Sequence, residues 1–462
     1  MAPPAESTPA GTTPPAGTPA ATTPPAGLLT TIDLRGHPGD LRRALPAPVI
    51  VDDGEAAAAV RAILADVRDR GDAALRHATE RFDRVRIDDI RVPPEEVKAA
   101  LERIPVALRQ ALEAAHDNIV DYHRSQLHPD SRYERDGVVI RELRKPVDRA
   151  GLYVPGGRAP LASTVLMTAA PARVAGVGAL AVCSPPGPDG RLAPAILAAA
   201  AIAGVDEVYR VGGAQAVAAL AYGTESVPAV DVIVGPGNRY VAIAERLVAG
   251  EGAVGVPSAF TGPSEVAVVA DATTDPTHAA VDLVVQAEHG PDGLAYLITW
   301  SEDAAARIGA EVDRITGESP RRPEVQATLE KGGYTVLVDG PEQAMAVANA
   351  VAAEHLELMT ADPEALVPRL TTAGAVFLGP WAPASVGDYA AGPNHVLPTA
   401  RSARFGSALR VDDFCKYIHL VDVDRRGLDR LAPAVEAMAV SEGLAAHADS
   451  VRYRTGARTP PR

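Results

Sequence analysis

Apolar side chains repeat along this chain with two periods. Between residues 55 and 80, Val60, Ile63, Leu64 and Val67 recur at helical spacing, and 95–127 reads as further helix broken near Pro105. Residues 133–145 alternate as a strand or hairpin, with Asp136-Gly137 as its turn. From 150 to 270 the texture changes. Short apolar runs (Ala179 to Cys183, Glu207 to Val211, Val230 to Val234) each precede a Gly- or Pro-rich turn and an Ala-rich helix, at 192–203, 214–222 and 239–249. Three such repeats with short connections predict a parallel sheet with helical crossovers, whose ligands bind at the carboxyl ends of the strands.

A second α/β unit follows. Strands are expected at 265–270, 295–299, 334–338 and 374–378, and helices at about 276–289, 303–314 and 342–355. The tail predicts a strand at 417–423 and one helix over about 428–448. The pattern is that of an α/β protein with two Rossmann-like parallel-sheet domains and a small C-terminal tail. Residues 1–28 have no period: they are Ala, Pro, Thr and Gly, with TTPPAG at 12–17 and again at 22–27, and are expected to form a disordered extension.

Composition narrows the function. The formal net charge of −15 disfavours general nucleic-acid binding, which needs basic surface. Two cysteines, Cys183 and Cys415, exclude a disulfide framework, a Cys-rich zinc site and an iron–sulfur cluster. Any metal must be held by His, Asp, Glu or Gln. No apolar run reaches the roughly 18 residues of a membrane span, and no signal peptide is evident, so a cytoplasmic protein is expected.

Three turns could face phosphates: Tyr153-Val154-Pro155-Gly156-Gly157, Val211-Gly212-Gly213-Ala214-Gln215 and Gly235-Pro236-Gly237-Asn238. Each opens a helix, so backbone N–H groups could meet an anion, and three at successive strand ends point to a nucleotide site. Gln286 and His289 sit three apart at a helix end, a spacing that suits two ligands on one ion. Glu354-His355 is read as the end of another helix, and Asp388 and His395 as members of a Gly/Pro-rich loop. Glu442 and His447 fall on the last helix. Gln286, His289, Asp388 and His447 would make a mixed N/O donor set for zinc, though spacing does not show that they converge. A zinc hydrolase with Glu354 as base accounts for that set but not for the three turns.

With these residues in view, the chain resembles histidinol dehydrogenase over about 29–456. The matching segments are GLYVPGGRAP (151–160), VGGAQAVAALAYGTESVPAVD (211–231), IVGPGNRYVA (233–242), GPSEV (262–266), QAEHG (286–290), EHLEL (354–358), GDYAAGPNHVLPT (387–399), VDDF (411–414) and SEGLAAHADSVR (441–452). The resemblance implies a zinc-containing, NAD-linked homodimer that oxidises L-histidinol through the aldehyde to L-histidine. It implies Gln286, His289, Asp388 and His447 as ligands of one zinc per subunit, with His447 from the partner chain. Glu354 and His355 are implied as the acid–base residues, and Tyr153, Gln215 and Asn238 as NAD contacts. Ser264, His355 and Glu442 are implied as substrate contacts beside the metal ligands, with His395 near them. The expected division is 1–28 as extension, 29–152 with 270–409 as a discontinuous first domain, 153–269 as the NAD-binding domain, and 410–462 as a dimer-exchanging tail. The 256–261 segment, Arg158, Leu161-Ala162 and Ala353 depart from the family pattern, which leaves open a paralogue acting on another amino alcohol or a polar diol. Neither cysteine sits beside a candidate base. The second oxidation is therefore expected to use a hydrated aldehyde, with His355 taking the alcohol proton and Glu354 activating water.

Overall fold

The computed structural model describes residues 27–46, 54–156, 160–258, 262–288, 290 and 292–457. Most of the expected extension, with Arg158 and residues 259–261, lies outside these. The chain divides into two compact units: residues 1–53, 260–388 and 397–408 form the first, and 54–259, 389–396 and 409–462 the second. Thirteen strands occur among the described residues: β1 (Thr30–Asp33), β2 (Ser131–Arg135), β3 (Val138–Pro146), β4 (Arg149–Tyr153), β5 (Ala179–Ser184), β6 (Glu207–Arg210), β7 (Val232–Val234), β8 (Glu265–Ala270), β9 (Leu294–Thr299), β10 (Gly333–Leu337), β11 (His355–Met359), β12 (Ala375–Leu378) and β13 (Cys415–Val423).

The first unit is built on a parallel six-stranded sheet of order β1-β10-β9-β8-β11-β12. Its central strands are continuous apolar runs because helices cover both faces. Val266, Val268 and Ala270 of β8 pack with helices Pro276–Ala287 and Glu302–Glu318. Ala267 and Val269 face the helix Pro341–Val351 on the other side. On β11, Leu356 and Leu358 join that second cluster and Met359 the first, so His355 and Glu357 point to the face of the helix Pro276–Ala287.

The sequence pattern predicts a helix over 342–355 that includes Glu354-His355. The observed helix stops at Val351, Ala352 takes a left-handed φ of 51°, and His355 opens β11. The Leu- and Glu-containing segment has good helix propensity, but pairing on both sides, with β8 and β12, overrides it.

The second unit has a parallel sheet of order β6-β5-β4-β7. The helices Gly54–Arg70 and Asp72–Phe82, broken at Gly71, pack on helices Gly213–Tyr222 and Arg239–Gly250, and Val106–Arg124 packs on Ala162–Ala175. Residues 54–148 thus share a core with this sheet, whereas the sequence pattern groups them with 270–409. The β2–β3 hairpin turns at Asp136-Gly137, both at positive φ, and β13 completes an antiparallel sheet. The single tail helix expected from the sequence is two, Arg425–Ser441 and Ala445–Thr455, separated where Gly443 has φ 73°. No helix among the described residues is long and apolar enough to cross a membrane.

Glu245, on the helix Arg239–Gly250, is fully buried, and neither carboxyl oxygen has a hydrogen-bond partner. Burial pushes its pKa well above the usual 4.5. As pH rises from about 4.5, the folded protein must hold a proton that the unfolded chain has released, and stability falls. Glu245→Met removes that linkage. In urea unfolding it is expected to be more stable than the parent by about 1–3 kcal/mol at pH 8, with a smaller gain at pH 5. An equal or absent gain at pH 8 contradicts the assignment.

Candidate active site

Glu354 and His355 stand where the chain leaves Ala352 and enters the sheet, and the two residues are 9% and 3% accessible. Glu354 Oε2 accepts the Glu265 backbone N–H at 3.1 Å, and the Ser264 hydroxyl bonds the same carboxyl. His355 Nδ1 lies 3.8 Å from Glu354 Oε2, and Nε2 lies 3.1 Å from Asp388 Oδ1. The ring sits 5.9 Å from that of Phe377. Ser264, Glu354, His355 and Asp388 therefore form one connected line in the first unit. Asp388 is on a short helix, Ala384–Tyr389, where the sequence suggests a loop.

The electrostatics follow from burial. It raises Glu354 to about 7. It raises Glu265 to about 8, with the Glu354 charge adding to the effect. For His355 burial works against the imidazolium, but the Glu354 and Asp388 carboxylates outweigh it and lift the pKa to about 9. Glu357, two residues along β11 and 1% accessible, is raised to about 9 by burial and by the neighbouring Asp282 carboxyl. Glu265, Glu357 and Asp282 are not among the residues that the sequence singles out. Their signal is present in the EHLEL segment: read as a strand, it puts Glu357 on the same face as His355.

Gln286 is 3% accessible in the last turn of the helix Pro276–Ala287. His289 lies outside the described residues. His447 and Glu442 are exposed in the second unit, Glu442 as the C-cap of the helix Arg425–Ser441 and His447 on the following one, rather than both on a single helix. Among the described residues no group of three His, Cys, Asp or Glu could hold a metal. The donor types nonetheless fit zinc: an amide oxygen, a carboxylate and imidazoles, with no thiolate.

In the second unit the three turns lie at the carboxyl ends of β4, β6 and β7. The order β6-β5-β4-β7 makes β4 and β7 neighbours whose onward connections run to opposite sides, the switch point where such sheets bind ligands. Tyr153 ends β4 and is buried, its hydroxyl accepting the Gly213 N–H at 3.1 Å. Gln215 is buried in the first turn of the next helix. Asn238 caps the helix Arg239–Gly250, its Oδ1 accepting the N–H groups of Tyr240 (3.0 Å) and Val241 (3.2 Å). Gly235 has φ 128°, and a Cβ there would lie 2.1 Å from the Tyr153 carbonyl oxygen. Gly212 likewise leaves no room beside Pro185. Such bare backbone beside helix N-termini suits a dinucleotide's pyrophosphate. His395 Nε2 is 3.3 Å from Thr164 Oγ1 in this unit.

The histidinol dehydrogenase family model matches residues 50–455. The chain belongs to the histidinol dehydrogenase family. It is 49% identical over 396 residues to the histidinol dehydrogenase of Parasynechococcus marenigrum (strain WH8102), covering 86% of this chain and 90% of that protein. With the Chromobacterium violaceum histidinol dehydrogenase it shares 46% identity, covering 90% and 96% of the two chains. The crystal structure of histidinol dehydrogenase from Elizabethkingia anophelis aligns with a TM-score of 0.88 at 35% identity, covering 93% of this chain and 99% of that one. Family membership makes the chain an oxidoreductase, and the hydrolase reading falls away.

Gly235→Ala is expected to weaken NAD binding at least tenfold, read by fluorescence titration with NADH, because the new methyl must displace the β4–β7 junction. Unchanged affinity argues against the cradle.

Proposed function

We propose that this chain oxidises L-histidinol through L-histidinaldehyde to L-histidine, with NAD as oxidant and one zinc ion per subunit, in the cytoplasm. The observation that carries the proposal is the buried line Ser264–Glu354–His355–Asp388, found in a member of the histidinol dehydrogenase family. Two proton-handling groups meet there, and two oxidations need both. The free state of Cys183 and Cys415 accords with a reducing compartment.

Gln286, His289, Asp388 and the partner's His447 would hold the zinc, which when bound fixes and polarises the substrate's amine and imidazole nitrogens. Tyr153, Gln215 and Asn238 would hold NAD, which would supply the hydride acceptor for each oxidation. In the first, His355 takes the hydroxyl proton. With Asp388 drawn to a bound zinc, the imidazole would be released from that carboxylate and free to act as base. In the second, Glu354 removes a proton from water as its oxygen joins the aldehyde carbon. The resulting gem-diolate gives up its hydride and becomes the carboxylic acid. Ser264 and the Glu265 N–H aim the Glu354 carboxyl. Glu442 and His395 complete the substrate contacts.

The tail supports a shared site. It exposes Ile418, Val421, Met438, Val440 and Leu444, apolar side chains that a second copy would cover.

Glu354→Gln is expected to keep alcohol oxidation within a few-fold and to slow aldehyde oxidation about 100-fold or more, in assays started separately from L-histidinol and L-histidinaldehyde. Equal loss in both sinks the division of labour. His447→Asn is expected to lose zinc and activity. Mixing it with Glu354→Gln should restore activity, because half of the sites in a mixed dimer would then carry Glu354 from one chain and His447 from the other. No recovery in verified mixed dimers refutes the exchange of tails. A protein that reduces NAD with another amino alcohol but not with L-histidinol overturns the substrate.

A further inference from the structure

Glu357 has no part in the proton transfers above, yet it is a nearly inaccessible acid on the same face of β11 as His355. One oxygen, Oε1, accepts the Ala384 backbone N–H at 3.1 Å, at the first residue of the helix Ala384–Tyr389. The other, Oε2, meets no donor, and the carboxyl as a whole lies beside that of Asp282, on the helix Pro276–Ala287. Burial raises both carboxyls, and the Asp282 charge raises Glu357 further. His278, one turn before Asp282, adds its field to that pair.

The positions of the two contacts matter. Asp282 is four residues before Gln286, and Ala384 is four residues before Asp388. In each helix Glu357 therefore holds the turn directly below a candidate zinc ligand, on the same helical face. His355 bonds the Asp388 end of the same short helix. That helix has only six residues and could not keep its own place.

We propose that Glu357 is a positioning residue: bridging Asp282 and the Ala384 N–H, it sets the spacing between Gln286 and Asp388 and so prearranges the metal-binding half-site in this subunit. The inference rests on the zinc reading given above and goes beyond it by naming the residue that spaces the ligands. Groups that orient metal ligands typically change affinity 10- to 100-fold when removed.

The test uses the full-length protein and two measurements. Zinc affinity is read by competition with a chromophoric chelator. Amide exchange of the peptide covering 384–389 is read on the metal-free protein. Glu357→Leu is expected to weaken zinc binding at least tenfold and to speed exchange in that helix at least tenfold. Glu357→Gln keeps an acceptor for Ala384 and offers a donor to Asp282, and is expected to stay within threefold of the parent on both. A bulk fold defect would not be repaired by Glu357→Gln. Unchanged zinc affinity in Glu357→Leu overturns the proposal, as does a Glu357→Gln variant that falls as far as Glu357→Leu. Should Glu357→Leu not fold, Glu357→Asp withdraws the carboxyl by one methylene: a threefold or greater loss of affinity supports the bridge, and none overturns it. A parent protein that binds no zinc removes the metal reading itself, whereas the exchange arm then still decides whether Glu357 ties down the helix.

Discussion

Two carboxyl groups flank one imidazole in the first unit, three more acids are buried in the same unit, and most of the site's behaviour follows from that crowding. Asp282, Glu265, Glu354 and Glu357 are each less than 10% accessible, and Asp388 reaches His355 at hydrogen-bond distance. Burying one ionised carboxylate in a protein costs several kcal/mol unless it is paired, and burying several together costs more. The cluster responds by holding protons: Glu354, Glu265 and Glu357 rise to about 7, 8 and 9, and His355 stays charged to about 9. Where those protons leave, the carboxylates left behind attract positive charge in their place. A proton and a divalent ion both qualify, and the proposed chemistry uses both.

The sheet makes the crowding possible. Parallel strands buried on both faces normally carry apolar side chains, as β8 does over its whole length after Glu265. Here the acids are confined to strand starts and, beyond them, to the face of β11 that carries His355. Glu265 opens β8, Glu354 and His355 stand at the start of β11, and Glu357 follows at the next position on the His355 side. The helix Pro276–Ala287 runs back against the strands, so its last turn, with Gln286, returns to that same edge. The second unit uses the opposite edge of its own sheet. There the useful groups are glycine turns after β4, β6 and β7, where backbone N–H groups rather than charges carry the recognition. One unit thus supplies charge at strand beginnings, the other bare backbone at strand ends.

Much of this is legible in the residues, and the failures share one cause. Apolar runs bounded by glycine and proline mark the β5, β6, β7 and β8 strands within a residue or two, because buried parallel strands must be apolar and their turns need special backbone. The Asp136-Gly137 hairpin is legible because two residues tolerant of positive φ stand together. β11 escapes because its sequence, His-Leu-Glu-Leu-Met, looks like the end of a helix. Only its neighbours β8 and β12, far away in sequence, make it a strand. With β11 hidden, Glu357 cannot be seen to share a face with His355. Asp282 likewise looks like a solvated position on a helix. The tail break at Gly443 is hidden because helical periodicity continues across it. Nine ordered motifs carry the family, since they report on chemistry rather than on local conformation.

Glu245 in the second unit shows what distinguishes the acidic cluster from a mere fault in packing. It too is a buried acid with a raised pKa, but neither of its oxygens meets a donor. In the first unit each acid has at least one directed contact: Glu354 with the Glu265 N–H, Glu357 with the Ala384 N–H, Asp388 with His355. Those contacts fix where each oxygen points while leaving its charge only partly compensated. Directed yet undercompensated acids are what a site needs if it is to hold cations in set positions without rearranging, since the work of orienting the ligands is done when the chain folds. A buried acid without such contacts has nothing to offset its desolvation, and it weighs only on stability.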